Sequence, residues 1–439
     1  MAPEKYFGAQ QVTRMLPVIS ERFERAFCRV LFVALCVVPT LTLGGWTYYQ
    51  RLPSHRLACE QMLTRQLGLA VRLGSVEHTR PGDVRLLQVE LREPETNELI
   101  ARIGQIDARR HGHDWWVALA APDLVLDGCQ ALTELLDRQL RWPTGGVDRR
   151  IHIVAEHACL RDGEQAWKVK QVAAAVTAAP RHAEARLVFH WEEGAAEHPV
   201  SLKVARERDR PEPMTRLDLQ TGEAPFPITL LRPWLAAGEW VGPKSTLVGR
   251  GRLDLGRQSR RWTVQGRFDQ VELGELVTRH FGHDLRGTAQ VLLDAEGDGD
   301  RLLQASGELA SRKGVISRSF LQALGQELSM SVAQLPAAMG EQVRFEELRL
   351  GYRVTDDGAL ALSGASRYAE GALLVDHNGV LVREPPTTQD TAALIRALAV
   401  AGTPSLPASA PTAVLSRVLP MRTPGARSAP DREPPPRRH

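Results

Sequence analysis

The sequence predicts a mainly β protein with short helices, in which an N-terminal single transmembrane helix precedes an antiparallel sheet. Three observations carry that expectation. Residues 30–50 hold no charged side chain between Arg29 and Arg51. Many segments beyond them alternate apolar and polar residues with a period of two, the spacing at which a strand sends side chains to opposite faces. Turns bearing Gly, Pro and Asp separate those segments at hairpin spacing.

The apolar run comes first because it divides the chain. At 1.5 Å per residue, about 20 apolar residues cross a hydrocarbon core roughly 30 Å thick. Trp46, Tyr48 and Tyr49 gather at one end, where aromatic rings favour the membrane–water boundary. Pro39 is tolerated in such a helix when neighbouring groups satisfy the carbonyl it frees. A cleaved signal peptide is the competing reading. Against it, 29 residues precede the run, the run is long, and no Ala-x-Ala site follows. The leading arm, residues 1–29, carries Lys5, Arg14, Arg22, Arg25 and Arg29, while Arg51, Arg56 and Arg65 follow the span. The positive-inside rule makes the arm cytoplasmic and sends residues 51–439 across the membrane, into the periplasm of a bacterium, with the span in the inner membrane.

Composition narrows the partners. The 55 basic and 52 acidic residues leave a net charge of +3 and are interleaved, so no basic face invites nucleic acid. Cys28 and Cys36 lie at or in the span. Cys59, Cys129 and Cys159 are widely spaced, form no Cys-x-x-Cys pair and single out no disulfide.

Beyond the span, Ser54 is placed to cap a short helix over Leu57–Leu67 that ends at Gly68. Strands are expected over Leu69–Val76, Val84–Leu91, Leu99–Ala108 and Trp115–Leu126, with a turn at Pro81-Gly82 and a helix near Leu132–Leu140. Short strands follow through Leu219, making 51–230 a proximal β-rich region. Residues 230–240 link it to a distal one, 231–402, where alternation is cleaner. There Ala289, Val291 and Leu293, then Leu303, Ala305 and Leu309, then Leu348, Leu350, Tyr352 and Val354 each share a face. Short helices are expected over Leu273–Phe281 and Phe320–Leu328. Residues 403–439 are rich in Pro, Ala, Ser and Arg, a composition with too little apolar surface to order itself.

No chemistry-bearing constellation emerges. His111-Gly112-His113-Asp114 reads as a polar turn, because no third ligand accompanies it and Arg109-Arg110 would repel a cation. His280 and His283 read the same way. The acidic run from Asp294 to Asp300 lacks the bidentate Glu of a calcium loop. Gly242-Pro243-Lys244-Ser245-Thr246 lacks the leading Gly of a P-loop, and no Gly-x-Ser-x-Gly elbow occurs. The expectation is a non-enzyme with no catalytic, cofactor or metal residues.

A family resemblance rests on the order of weak motifs after the span. Leu67-Gly68-Leu69-Ala70-Val71-Arg72-Leu73-Gly74-Ser75-Val76 leads into Pro81-Gly82-Asp83-Val84 through Leu91 and then Pro94-Glu95-Thr96. Farther on stand Phe268-Asp269-Gln270-Val271-Glu272-Leu273, Leu285-Arg286-Gly287-Thr288-Ala289, Ala305-Ser306-Gly307-Glu308-Leu309 and Gly314-Val315-Ile316. This order resembles AsmA-like envelope proteins. The resemblance implies an inner-membrane anchor and a periplasmic body, built as an elongated, curved sheet or trough with an apolar concave face. It further implies a part in outer-membrane assembly or in carrying lipid between membranes, and it supplies no catalytic residues.

Two functions follow as expectations. In the first, the apolar face binds or transfers phospholipid or another acyl lipid, with Leu303, Leu309, Leu348, Leu350, Tyr352 and Val354 as candidate lipid-facing residues. An open apolar groove in water costs roughly 25 cal/mol per Å² and favours an occupant, whereas a closed β core would need none. In the second, a membrane-tethered scaffold recruits another envelope protein through its sheet edges.

Overall fold

The computed structural model describes residues 21–50, 52–80, 82–141, 149–179, 181–192, 198–208, 214–232, 241–256, 259–334, 336, 340–399 and 410–421. Chain contacts divide these residues into two units between Met62 and Leu63. Each has its own construction.

The first unit is helical. Helix Glu21–Phe32 passes through a π-helical turn, Val33–Val37, into helix Val38–Gln50. The stretch Arg25–Gln50 is 26 residues long, with a mean hydropathy of 2.2, so it is long and apolar enough to span a membrane. Its length is about 39 Å at 1.5 Å per residue. The π turn sits just before Pro39, which removes one amide hydrogen and crowds the carbonyl four residues back. Thr40 Oγ1 donates to the Cys36 carbonyl at 2.6 Å, and Thr42 Oγ1 to that of Val38 at 2.6 Å. The polar groups of the apolar helix are thus turned inward to its own backbone, as hydrocarbon requires. Phe32, Leu35, Leu41 and Leu43 point outward.

The second unit is mainly β: strands hold 53% and helices 25% of the described residues, and the strands form one large open sheet. All 22 strands among the described residues belong to it. The expected antiparallel order holds at every pairing except one, because Asp114–Val125 and Arg149–Asp162 run parallel. Parallel neighbours need a crossover, and helix Cys129–Arg141 lies between them in the chain. From there antiparallel pairings carry the sheet through Gln165–Ala178, His182–Trp191, Val200–Glu207, Met214–Gln220, Thr246–Leu255, Arg260–Glu272, Leu285–Asp298, Arg301–Ser317, Glu347–Val354 and Ala359–Gly364. One sheet therefore runs through both the proximal and distal regions.

The helices differ from expectation mainly at their ends. Leu57–Leu67 becomes Pro53–Leu67, and Leu132–Leu140 becomes Cys129–Arg141. Helix Arg318–Glu327 is capped by Ser317, whose Oγ accepts from the Phe320 amide, and it buries Phe320 and Leu321. Over Leu273–Phe281 only a π-helical turn, Gly274–Thr278, is found. Ile228–Leu231 is a 3₁₀ turn, while residues 233–240 of the expected link and Pro81 of the expected turn lie outside the described residues. Of the tail, 403–409 and 422–439 also lie outside them, as does 1–20 of the arm. Between those tail segments, Ala410–Val418 is helical, and Thr391 Oγ1 donates to the Pro420 carbonyl at 2.5 Å, so order reaches past residue 403.

The apolar phase of the proximal strands slips at a shared level. Gln88, Ala121 and Gln171 adopt positive φ of 49°, 46° and 54°. Gln88 lies level with Gly104, and Gly104 with Ala121, since Leu87 pairs with Gln105, Val89 with Ile103 and Ile103 with Pro122. Gln171 lies level with Glu156 in the next pair of strands. Strands bearing such kinks bend and re-aim their side chains. Beyond the kinks Val89, Ile103, Ala158 and Val169 are buried.

Candidate functional site: the apolar face of the open sheet

Residues registered across a sheet share a face, so the pairings can be followed strand to strand. Val84 pairs with Ala108, then the row continues through Val117, Ile153, Ala174, Leu187, Leu202, Leu219, Gly251, Val264, Ala295, Ala305, Val354 and Leu360. That is one residue from each of fourteen strands, without a polar side chain among them. At about 4.8 Å between strands, the row runs roughly 60 Å along the sheet. A second row lies two residues away: Trp115, Ile151, Val176, Ala185, Val204, Leu217, Leu253, Trp262, Gly297 and Leu302.

Coverage of this face is uneven. At the distal end Ala295, Ala305, Val354 and Leu360 are buried, packed in a core that includes Phe320 and Leu321 of one helix and Ala393 and Ala397 of helix Thr391–Leu398. In the proximal region Leu136 and Leu140 of the crossover helix cover Ala183, Ala185 and Val204. Phe226 and Leu230 also close over Phe189 and Val200, in a cluster against which Leu187 and Leu219 of the first row pack. The rest of the face is open to a degree. From Val84 to Val264 all ten members of the first row are half-buried.

The opposite face is charged and wet. One of its rows reads Arg216, Asp254, Arg261, Asp298, Arg301 in register. Arg216 Nε donates to Asp254 at 2.7 Å and Arg252 Nε to Asp218 at 2.7 Å. Arg85 does the same to Asp107, holding that carboxyl below its usual range by hydrogen bonding and charge. Surface pairs of this kind contribute at most about 1 kcal/mol each. They fix which face meets water.

The six residues singled out by sequence fall in two groups. Leu309, Leu348, Leu350 and Tyr352 are half-buried and pack against the distal core, and Val354 is a buried member of that core. Leu309 pairs with Leu350, and Tyr352 with Gly307. Leu303 is separated from them. A register shift sets Glu296 opposite Gln304 and Gly297 opposite Leu302, so Leu302, not Leu303, joins the cluster. Sequence reading missed the more exposed members, including Val117, Ile153, Leu187, Leu202 and Val264, as one surface. Their signal was strand alternation, but only register joins them. Tyr352 Oη donates to the Leu292 carbonyl at 3.0 Å, and burial pushes its phenol up to about 12.

Other candidate chemistry is sparse. The His111–Asp114 segment is a hairpin turn with Gly112 at φ 63°. His283 is buried, stacked on Phe320 at 4.9 Å, with Nε2 3.2 Å from the Ala399 carbonyl. Among the described residues no three His, Cys, Asp or Glu side chains gather as a metal site. Cys59, Cys129 and Cys159 are all free thiols. Comparison with family models and with curated proteins gives no match to this chain.

Proposed function

We propose that the chain is a membrane-anchored, AsmA-like envelope protein that binds or transfers lipid along the apolar face of its sheet. In this reading the N-terminal arm is cytoplasmic, the span lies in the inner membrane and the β body is periplasmic. The supporting observation is the unbroken apolar row from Val84 to Leu360, with ten half-buried members ahead of a sealed distal end. Half-buried side chains left in water cost roughly 25 cal/mol per Å² of apolar area, and an acyl chain laid along them removes that cost at about 0.8 kcal/mol per CH₂. A lipid leaving a bilayer gives up a similar amount, so exchange between membrane and sheet is close to neutral. That balance is what a carrier needs.

The test is site-specific photo-crosslinking of the full chain in cells, with benzoylphenylalanine at Val264 or Ile153 and, as a control, at Thr263 on the opposite face. Phospholipid adducts found by mass spectrometry at the first two positions and not the third are expected. Equal labelling of both faces, or none, would sink the lipid reading. The scaffold alternative finds less support, because edge strand Ser75–Arg80 is short and carries Glu77, His78 and Arg80, features that discourage strand addition.

A further inference from the structure

The charged face is interrupted by an aromatic patch near one end of its strands. Where strands Asp114–Val125 and Arg149–Asp162 run side by side, Trp116 is 48% exposed and Val154 44% exposed, on the face that elsewhere carries ion pairs. Trp116 stacks on His152 with ring centroids 4.3 Å apart. Its chain neighbour Trp115 turns to the other face beside Ile151, which is 36% exposed. The end of the strands thus presents indole on both faces. Arginines accompany each: Arg109 is registered opposite Trp116, Arg110 opposite Trp115, and Arg150 precedes Ile151. All three arginines are exposed. Asp83, Asp107 and Asp114 are the nearby acids, Asp107 held already by Arg85, against Arg80, Arg109, Arg110 and Arg150.

We infer that this strand end is a docking surface for an anionic phospholipid bilayer. Indole rings prefer the headgroup boundary, where an apolar body and a polar N–H are both accommodated. Guanidinium groups beside them pair with phosphate, and each arginine near an anionic surface contributes roughly five-fold in partitioning. An exposed apolar patch rimmed by positive charge fits that partner better than an acidic protein, because the patch is split between two faces of a thin edge. Such an edge penetrates a headgroup layer and offers no flat interface. The inference shares Trp115 and Ile151 with the end of the second apolar row, but it is carried by Trp116, Val154 and the arginines, which the lipid groove does not use.

Full-length protein held in nanodiscs of phosphatidylcholine is mixed with vesicles of phosphatidylcholine alone or with phosphatidylglycerol, and co-flotation is measured. Binding only to the phosphatidylglycerol vesicles is expected, with loss in high salt. Arg109→Gln with Arg150→Gln should weaken it about twenty-five-fold, by the same five-fold per arginine. Trp116→Ser should weaken it further, while Leu292→Ser, another exposed apolar residue on the charged face, should leave it unchanged. Circular dichroism melts of each variant establish that it folds. Equal flotation with both vesicle types, no flotation at all, or full binding by the folded double arginine variant would overturn the inference.

Discussion

Tyr352 lies across Gly307. The two are register partners on adjacent strands, and the phenol reaches over the glycine to the Leu292 carbonyl one strand farther on. A Cβ at position 307 would collide with that carbonyl oxygen and stand 2.7 Å from the phenol oxygen. The same device recurs twice on registered pairs, Trp262 over Gly297 and Phe345 over Gly314. Aromatic rings placed over strand glycines restore the packing that glycine lacks and pin register. Gly307→Ala should therefore cost about 1–3 kcal/mol through overpacking. Gly340→Ala, where a Cβ meets nothing within 4 Å, should stay within about 0.5 kcal/mol. Urea midpoints of the two variants against the parent decide it.

The same phenol makes stability fall in alkali. Burial raises its folded pKa to about 12 from 10.0, so the neutral form is favoured by the fold. The associated stability is fully present below pH 10 and is lost as pH rises from there through about 12. The loss is about 2 kcal/mol, from roughly 1.4 kcal/mol per pKa unit less an allowance for partial exposure. Tyr352→Phe should remove this pH dependence while costing about 1 kcal/mol at neutral pH for the missing hydrogen bond. Urea midpoints at pH 9 and pH 11 for both proteins provide the check, and equal slopes would refute it.

The β-rich class and most distal strands were legible because alternation there is strict and the turns are marked. Asp298-Gly299 and Asp357-Gly358 both sit in hairpin turns, with positive φ at each glycine. What escaped the sequence shares one cause: it depends on register. Leu303 looked like a neighbour of Ala305 two residues on, but the slip opposite Glu296 hands the place to Leu302. The kinks at Gln88, Ala121 and Gln171 carry no glycine or asparagine to announce positive φ. The parallel pair is invisible until helix Cys129–Arg141 is seen to carry the chain across. Helix Thr391–Leu398 escaped reading because it is short, although Asp390 caps it by accepting from the Ala392 amide at 2.8 Å.

The apolar row makes a prediction about charge. Val264 is half-buried between two small register partners, Gly251 and Ala295. Val264→Asp should therefore fold with a penalty of about 1 kcal/mol, in the ordinary range for a partly exposed site. A carboxylate laid in the path of an acyl chain must be desolvated, and that costs far more than the lost methyl contacts. Lipid recovered by extraction from the purified full chain should fall at least ten-fold for Val264→Asp and remain unchanged for Thr263→Asp. Leu350→Glu should also abolish loading, with a larger loss of stability because Leu350 packs against the distal core. Unchanged lipid content in the Val264 variant would count against the groove.

Cys129 offers a probe of the packing beneath the crossover helix. Its thiol packs in the cluster formed by Leu126, Val169, Phe189 and Phe226, and burial, followed by the charge of Asp127, pushes its pKa up to about 11 from 9.0. The thiolate is the reactive species, so two pKa units remove about a hundred-fold of reactivity at pH 8. Iodoacetamide should accordingly label Cys129 in the folded chain about a hundred-fold more slowly than in urea, as read by peptide mass spectrometry. The sign fixes the pH profile as well. Because the neutral thiol is favoured, the labelling rate should keep rising about ten-fold per pH unit beyond 9 and level off only near 11. A plateau at pH 9 would mean that the thiol meets water freely and that the helix does not seal the cluster.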